Sequence, residues 1–305
     1  MSFSQVLVIT LCLVTTGAHA KPLSPPSKVS SRQNPSPSSY PLDDACGNEW
    51  KYLNFDINKD GDRAHLELLH DVICSGELRG IAAWGAFAAS ERQTSKNVVY
   101  DLFFDTEEDT PAKVNDVLIT IAGEVTEGSN AGPKVAQMII DNSDFGKSSD
   151  NSCENEGTLA YTQIDVDGDG REKIHFCEIS YAKPIHAADI KCESLDKYPS
   201  TKMDTFSRVA LHETLHYSTI GPKSKLGEEI GDQFNEDGQR AYDPERAHGL
   251  QDPKQDNQPG KSENNADNYA WMSLDAIISN RCNMETTDGE KPWHSFFPDP
   301  PPKYA

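Results

Sequence analysis

The sequence is poor in basic residues and in apolar runs long enough to cross a membrane. Its 305 residues include 28 Lys and Arg against 49 Asp and Glu, a formal net charge of −21. Such a surface repels phosphate groups, which argues against nucleic acids and anionic membranes as partners. After the first twenty residues, no run approaches the roughly 20 apolar residues of a spanning helix. The sequence also lacks a CxxC pair, which argues against a cysteine zinc site or a thioredoxin-like motif.

The two ends of the chain differ in composition from the middle. Residues 1–20 combine an apolar stretch with a small-x-small cleavage site and predict a secretory signal peptide. Residues 21–45 are predicted to be a disordered linker, because 21–41 contain six Pro and seven Ser and too little apolar surface to offset chain entropy. One domain is predicted over 46–290, followed by a Pro-rich tail over 291–305. We expect a secreted, extracellular monomer.

Cysteine usage agrees with an extracellular location. Cys12 lies in the signal peptide, and an even number of cysteines remains. An even count in an oxidising compartment predicts three disulfides, and the sequence alone leaves their pairing open. The remaining cysteines are Cys46, Cys74, Cys153, Cys177, Cys192 and Cys282.

Apolar periodicity predicts an α+β protein that is mainly helical, with a small antiparallel sheet. Asp204 or Thr205 is predicted to cap the helix that carries residues 210–221, and a Gly-Pro pair at 221–222 to end it. Helices are predicted over 77–93, 114–125, 202–219 and 265–280, and strands over 97–104 and 173–181.

The segment ALHETLHYSTIG, residues 210–221, carries an H-E-x-x-H motif. On a helix, His212 and His216 lie one turn apart on the same face, so both can direct a ring nitrogen at one metal ion. Zinc accepts such nitrogens at about 2.0–2.1 Å. Glu213 can take a proton from a metal-activated water and pass it to the leaving amine. The motif predicts one zinc ion per chain and hydrolysis of peptide bonds.

A third protein ligand has to come from elsewhere. The metzincin class is excluded, because Pro222 stands where that pattern has its third His. Glu228 follows His216 by only 12 residues, with a helix-breaking Gly-Pro pair between them, which leaves little chain for a returning helix. A carboxylate from a loop is easier to place, and Asp232 is favoured, with Glu228 or Glu229 as alternatives.

These motifs resemble the aspzincin metallopeptidases, the family of fungal deuterolysins and peptidyl-Lys metalloendopeptidases. HETLH is followed by a loop with Gly and Asp, then by Tyr242, then by a helix that opens with NADNYAW. The resemblance, strongest over about 150–283, implies a zincin-like catalytic domain stapled by disulfides. It implies Asp232 as the third zinc ligand and Tyr242 as an oxyanion donor. The loop departs from the family pattern, because Tyr242 follows Asp232 by ten residues instead of three.

The resemblance has further implications for the cysteines and for specificity. It implies the pairs Cys153–Cys177 and Cys192–Cys282, which leaves Cys46 with Cys74. In the peptidyl-Lys enzymes, a Glu three residues after the Asp of the Asn-Ala-Asp helix binds the substrate lysine. Ala270 stands there in this chain, so exclusive Lys specificity is not expected. Asp267 is interpreted as a buried residue that caps its helix.

Two Asp-rich stretches imitate calcium loops. Residues 56–67, DINKDGDRAHLE, match an EF-hand, and Ca²⁺ at 56–67 is weighed against an Asp/Gly turn leading into a helix near Arg63. Residues 165–176 end in Phe176 instead of the bidentate Glu, which favours a turn between the strands YTQI and KIHF. The calcium ligands of the first stretch would be Asp56, Asn58, Asp60 and Glu67.

The sequence therefore predicts a secreted zinc endopeptidase that acts on proteins or peptides. Residues 226–256 contain nine acidic and three basic residues, a local balance of 3 − 9 = −6, which suggests basic substrates. The alternative is a non-catalytic, secreted zinc-binding or antigen-like protein on the same fold. The presence of Glu213 favours the enzyme.

Overall fold

The computed structural model describes most of the predicted domain, and the described residues belong to one compact unit within Pro35–Ala305. They are residues 51–73, 76–105, 109–123, 139–146, 152–164, 172–235, 237–251 and 261–284, together with 293 and 296. The predicted signal peptide, the predicted linker, Cys46 and Cys74 lie outside them. Within the described part, no helix has the length and apolarity needed to cross a membrane.

Helices and a small sheet make up the described chain, so the predicted α+β class is confirmed. The strands are β1 (Lys51–Leu53), β2 (Ile139–Asp141), β3 (Ala160–Ile164) and β4 (Glu172–Phe176). The helices are α1 (Asp60–Ile73), α2 (Glu77–Arg92), α3 (Val98–Phe103), α4 (Thr110–Ala122), α5 (Glu178–Tyr181), α6 (Phe206–Leu215), α7 (Pro244–Gly249) and α8 (Ala266–Met284).

The sheet is mixed, which corrects the prediction of an antiparallel one. Its strand order is β1-β2-β4-β3, and only β3 and β4 pair antiparallel. The chain passes through α1 to α4 between β1 and β2, which provides the long crossover that a parallel pair of strands requires. The antiparallel β3–β4 pair confirms that the Asp-rich stretch after Ile164 joins two neighbouring strands, although residues 165–171 lie outside the described part.

The core lies where α2 packs against α4, α6 and α8. Small residues on α2 allow this close approach, because Ala82, Ala86 and Ala89 are buried there. A Cβ at Gly85 would overlap the side chain of Ser273 on α8. The small side chains of α2 therefore let α8 pack closely against it.

Three predicted elements have different bounds or a different type. The strand predicted over 97–104 is helix α3, because the Asn97 side chain accepts a hydrogen bond from the Tyr100 amide and caps it. The strand predicted over 173–181 ends at Phe176, where Cys177 precedes α5. The helix predicted over 202–219 is the shorter α6, capped by Thr205 and not by Asp204. Its end precedes Gly221, so the Gly-Pro pair does not terminate it. The other helix predictions are confirmed, with shifted ends.

Candidate metal centre

Helix α6 carries His212 and Glu213 of the H-E-x-x-H motif and ends one residue before His216. The Thr205 hydroxyl accepts a hydrogen bond from the Arg208 amide, which fixes the start of the helix. Every residue of α6 is buried. His212 lies in the last turn and His216 is the C-terminal capping residue, so the two rings are one turn apart. Their Nε2 atoms are 3.2 Å apart.

Asp232 reaches the same point from a loop. The Gly231 amide donates to the Asn264 carbonyl, and the Ala266 amide donates to the Gly231 carbonyl, which ties the loop to the start of α8. Asp232 Oδ1 lies 3.3 Å from His212 Nε2 and 3.4 Å from His216 Nε2. The structure therefore brings the favoured third ligand to both histidines.

The alternative ligands point elsewhere. Glu228 and Glu229 are exposed, and the Glu228 carboxylate accepts a hydrogen bond from the Asn264 side chain at 3.1 Å. The chain passes close to Gly221 here, since a Cβ at that position would collide with the Glu228 carbonyl oxygen. Gly221 is thus needed for close approach of the loop that carries Asp232.

The three ligand atoms have the spacing of a zinc site. A tetrahedral ion with ligands at about 2.0–2.1 Å keeps its ligand atoms about 3.3–3.4 Å apart. The observed separations are 3.2, 3.3 and 3.4 Å. Asp232 Oδ1 is buried and accepts no hydrogen bond. The residues present therefore fit a bound zinc ion.

The outer nitrogens of both rings are held by acceptors. His216 Nδ1 donates to the carbonyl of Ile230 at 3.0 Å, which directs Nε2 toward Asp232. His212 Nδ1 lies 2.7 Å from Asp267 Oδ1. This carboxylate–histidine arrangement is typical of metal sites, where it fixes the ring and raises its basicity.

Asp267 is not the capping residue that the sequence suggested. It lies in the first turn of α8, and donors from α6, from the start of α7 and from α8 itself meet its two oxygens. Besides His212, Arg208 Nη1 donates to Oδ1 at 2.9 Å, and the Asp243 amide donates to Oδ2 at 3.0 Å. Trp271 Nε1 also donates to Oδ2, at 3.2 Å. Asp267 therefore joins α6, α7 and α8 behind the candidate ligands.

Buried charge controls the ionisation of this centre. Burial by itself lowers the pKa of His212, but the carboxylates of Asp267 and Asp232 outweigh it and raise that pKa well above its usual value. Burial opposes ionisation of Asp232, but the nearby His216 and His212 rings lower its pKa overall. A proton on His212 thus competes with a metal ion, so binding of a metal here would release protons.

Glu213 is buried beside the ligands and has an unforeseen partner. Burial raises its pKa, a shift only partly opposed by the charges of His212 and His216. The Thr162 hydroxyl on β3 lies 2.6 Å from Glu213 Oε2. The partners are 51 residues apart in the chain, so the sequence carried no signal for this contact.

Tyr242 lies at the centre but faces Asp232. Its hydroxyl donates to Asp232 Oδ2 at 2.9 Å, and its ring centroid lies 6.0 Å from that of His212. In this arrangement Tyr242 orients the Asp232 carboxylate. Its predicted role as an oxyanion donor stays a prediction.

The opening of α8 organises the loops around the centre. The Asn265 side chain accepts from the Gln233 amide and donates to the Ala241 carbonyl. The Asn268 side chain donates to the carbonyls of Phe103 and Ala247. The segment NADNYAW thus places the loop that bears Asp232 and Tyr242 through hydrogen bonds to main-chain groups.

Two other candidate metal segments differ from this centre. In residues 56–67, Asp56 Oδ1 accepts from the Asn58 amide, the Asp60 side chain pairs with Arg63, and α1 starts at Asp60. These contacts form a turn that leads into α1, while calcium binding there stays untested. Among the described residues, a second group of ligand-type atoms comprises Cys153, His175 and Cys177, but its two sulfurs form a disulfide.

The disulfides agree with the pairing that the resemblance implies. Cys153 is bonded to Cys177, and Cys192 to Cys282. The expected Cys46–Cys74 pair lies outside the described residues.

No protein-family model and no curated protein matches the chain.

Proposed function

We propose that this chain is a secreted zinc endopeptidase of the aspzincin type. The observation that carries the proposal is the set of three ligand atoms at 3.2–3.4 Å from one another, with a buried glutamate adjacent in sequence to one of them. His212, His216 and Asp232 would hold the ion. When bound, zinc supplies Lewis acidity toward a carbonyl and increases the acidity of water.

The protein's own residues have separate tasks in this proposal. Asp267 and the Ile230 carbonyl orient the two histidines. Glu213 takes a proton from the attacking water and delivers it to the leaving amine, a task suited to a carboxylate whose pKa burial raises. The Thr162 hydroxyl holds one oxygen of that carboxylate. Tyr242 holds Asp232 through Oδ2.

The decisive experiment replaces Glu213 by Gln. Because Glu213 is not among the proposed ligands, the variant should retain about one zinc per chain. Hydrolysis of denatured proteins and peptides should fall by at least about 100-fold, the lower end of the contribution of general acid–base catalysis. Zinc content by mass spectrometry and peptide release are measured on the same preparations.

The competing function is a zinc-binding protein without catalysis. It predicts that wild type and Glu213→Gln bind zinc equally and that neither hydrolyses any substrate. Glu229→Gln is the matched control, since it makes the same chemical change on an exposed residue of the neighbouring loop. Equal loss of activity in Glu213→Gln and Glu229→Gln would contradict the assigned role of Glu213.

A further inference from the structure

A hairpin over 233–241 separates the two loop residues of the metal centre, Asp232 and Tyr242. The structure describes it except for residue 236. The Ala241 amide donates to the Gln233 carbonyl at 2.8 Å, and Phe234 and Arg240 form a bridge pair. Asn265 bonds both sides of the hairpin base. The hairpin is thus fixed to α8 beside the two loop residues of the metal centre.

Arg240 places a guanidinium group directly beside the metal centre. Its Nη1 atom lies 3.4 Å from the Asp232 carbonyl oxygen and 3.8 Å from Asp232 Oδ2. Tyr242 already donates to that carboxylate oxygen at 2.9 Å. The Arg240 side chain is 36% exposed, so donors of its fork remain accessible from solvent.

Phe234 fixes the orientation of this group. The Arg240 guanidinium carbon lies 4.9 Å from the centroid of the Phe234 ring. Phe234 is itself 41% exposed, so the stacked pair is accessible from solvent. Stacking on an aromatic face leaves the edge of the guanidinium open, and that edge matches the two oxygens of a carboxylate.

The other arginine of the centre has a different environment. Arg208 is buried and bonds Asp204 and Asp267 on the far side of the His212 ring from Asp232. Arg240 therefore provides an exposed cation in a protein whose net charge of −21 repels anions at long range. A local cation in such a surface selects where one negative group of a substrate can lie.

We propose that Arg240 and Phe234 form a substrate subsite that binds a carboxylate next to the scissile bond. The carboxylate belongs to an acidic side chain of the substrate, because an endopeptidase cleaves away from the C-terminus. This subsite deepens the proposed function and rests on it. The preference it creates is local, and it is compatible with long-range attraction of proteins that are basic overall.

The test measures peptide binding without turnover, in zinc-loaded protein carrying Glu213→Gln. The probes are decapeptides that differ only by Glu, Gln or Lys at one position, each with a free or an amidated C-terminus. We expect the carboxylate form to bind about tenfold or more tightly than its amide counterpart, the effect of one hydrogen bond between charged groups. Adding Arg240→Gln should abolish that preference while zinc content stays the same.

Arg246→Gln is the matched control. Arg246 is similarly exposed, at 40%, and pairs with Asp243 and not with a proposed ligand. It should leave the preference unchanged. If replacing Glu by Gln in the peptide weakens binding, the bound carboxylate is a side chain, as proposed. If only amidation of the C-terminus weakens binding, the bound group is the C-terminus, which contradicts the assignment to a side chain.

Three outcomes overturn the subsite: equal or undetectable binding of all peptides, equal weakening of all peptides by Arg240→Gln, or zinc loss in that variant. The last would mean that Arg240 only supports Asp232. Absence of hydrolysis by the wild type would instead contradict the proposed function, and the binding measurement is independent of it.

Discussion

Two clusters each bring three ligand-type atoms within 4.8 Å of one another. The histidine cluster comprises His212, His216 and Asp232, and the cysteine cluster comprises Cys153, His175 and Cys177. In the cysteine cluster, the sulfurs are bonded to each other, and His175 Nδ1 lies 2.8 Å from the Asp141 carbonyl. In the histidine cluster, no covalent bond joins the three atoms. Both clusters place their ligand-type atoms equally close together, so the difference lies in which lone pairs are available to a metal.

The largest effect should separate the two clusters directly. His212→Ala or His216→Ala removes a ligand, so zinc affinity should fall well beyond the ~10- to 100-fold that loss of a supporting contact causes. Cys153→Ser with Cys177→Ser should retain about one zinc per chain. Zinc content after gel filtration gives the answer. If both histidine variants retained zinc, or if the cysteine variant lost it, the metal site could not be assigned to the histidine cluster.

The cysteine cluster should matter for stability instead. Its disulfide closes a loop of 24 residues, and chain entropy predicts a loss of about 3–4 kcal/mol in the free energy of unfolding when both cysteines become Ser. Chelation of zinc should destabilise wild type and this variant by the same increment, because the clusters share no ligand. Denaturant unfolding with and without EDTA measures both quantities. A variant insensitive to EDTA would show that the clusters are coupled.

A smaller effect concerns the carboxylates behind His212. Asp267 and Asp204 both bond Arg208, but only Asp267 also contacts His212. Asp267→Asn should lower zinc affinity by about 10- to 100-fold, while Asp204→Asn should change it little. Competition with a chelator of known affinity measures the difference. If both variants lower zinc affinity equally, the affinity depends on the negative charge near Arg208 and not on the contact between Asp267 and His212.

Local patterns predicted α2, α4, α6 and α8, because each is long and periodic or begins with a clear signal. The failures have local causes. Residues 97–104 are rich in apolar, β-branched and aromatic side chains, a pattern that favours a strand. Capping by Asn97 stabilises a helix there instead. The parallel pairing of β1 with β2 depends on a crossover of four helices, which no short pattern records.

Sequence spacing also found the candidate ligands but not their surroundings. The H-E-x-x-H motif lies within one helix, so periodicity alone puts both histidines on one face. The position of Asp267 at the start of α8 predicts a cap, and no local pattern indicates its contact with His212, which lies 55 residues away in the chain. Thr162 and Arg240 carry no motif, and only the fold brings them to the centre.

Strand β3 allows a comparison of two single hydroxyl groups, one near each cluster, because neighbouring residues of a strand point to opposite faces. The Tyr161 hydroxyl bonds Asp144, and its ring lies 5.4 Å from that of His175 beside the cysteine cluster. The Thr162 hydroxyl bonds Glu213 beside the histidine cluster. Tyr161→Phe and Thr162→Val each remove one hydroxyl with little change of shape, so the pair tests which face of β3 serves catalysis.

In the proposed enzyme, Thr162→Val should lower kcat/KM about tenfold, the effect of losing one hydrogen bond to a charged group. The Thr162 hydrogen bond lowers the Glu213 pKa against the larger effect of burial. Its loss should therefore raise that pKa and move the acid limb of the pH–rate profile to higher pH, because the base must be ionised to act. Tyr161→Phe should leave the acid limb in place. A fall in rate with an unchanged acid limb in Thr162→Val would mean that Thr162 only packs β3 against α6.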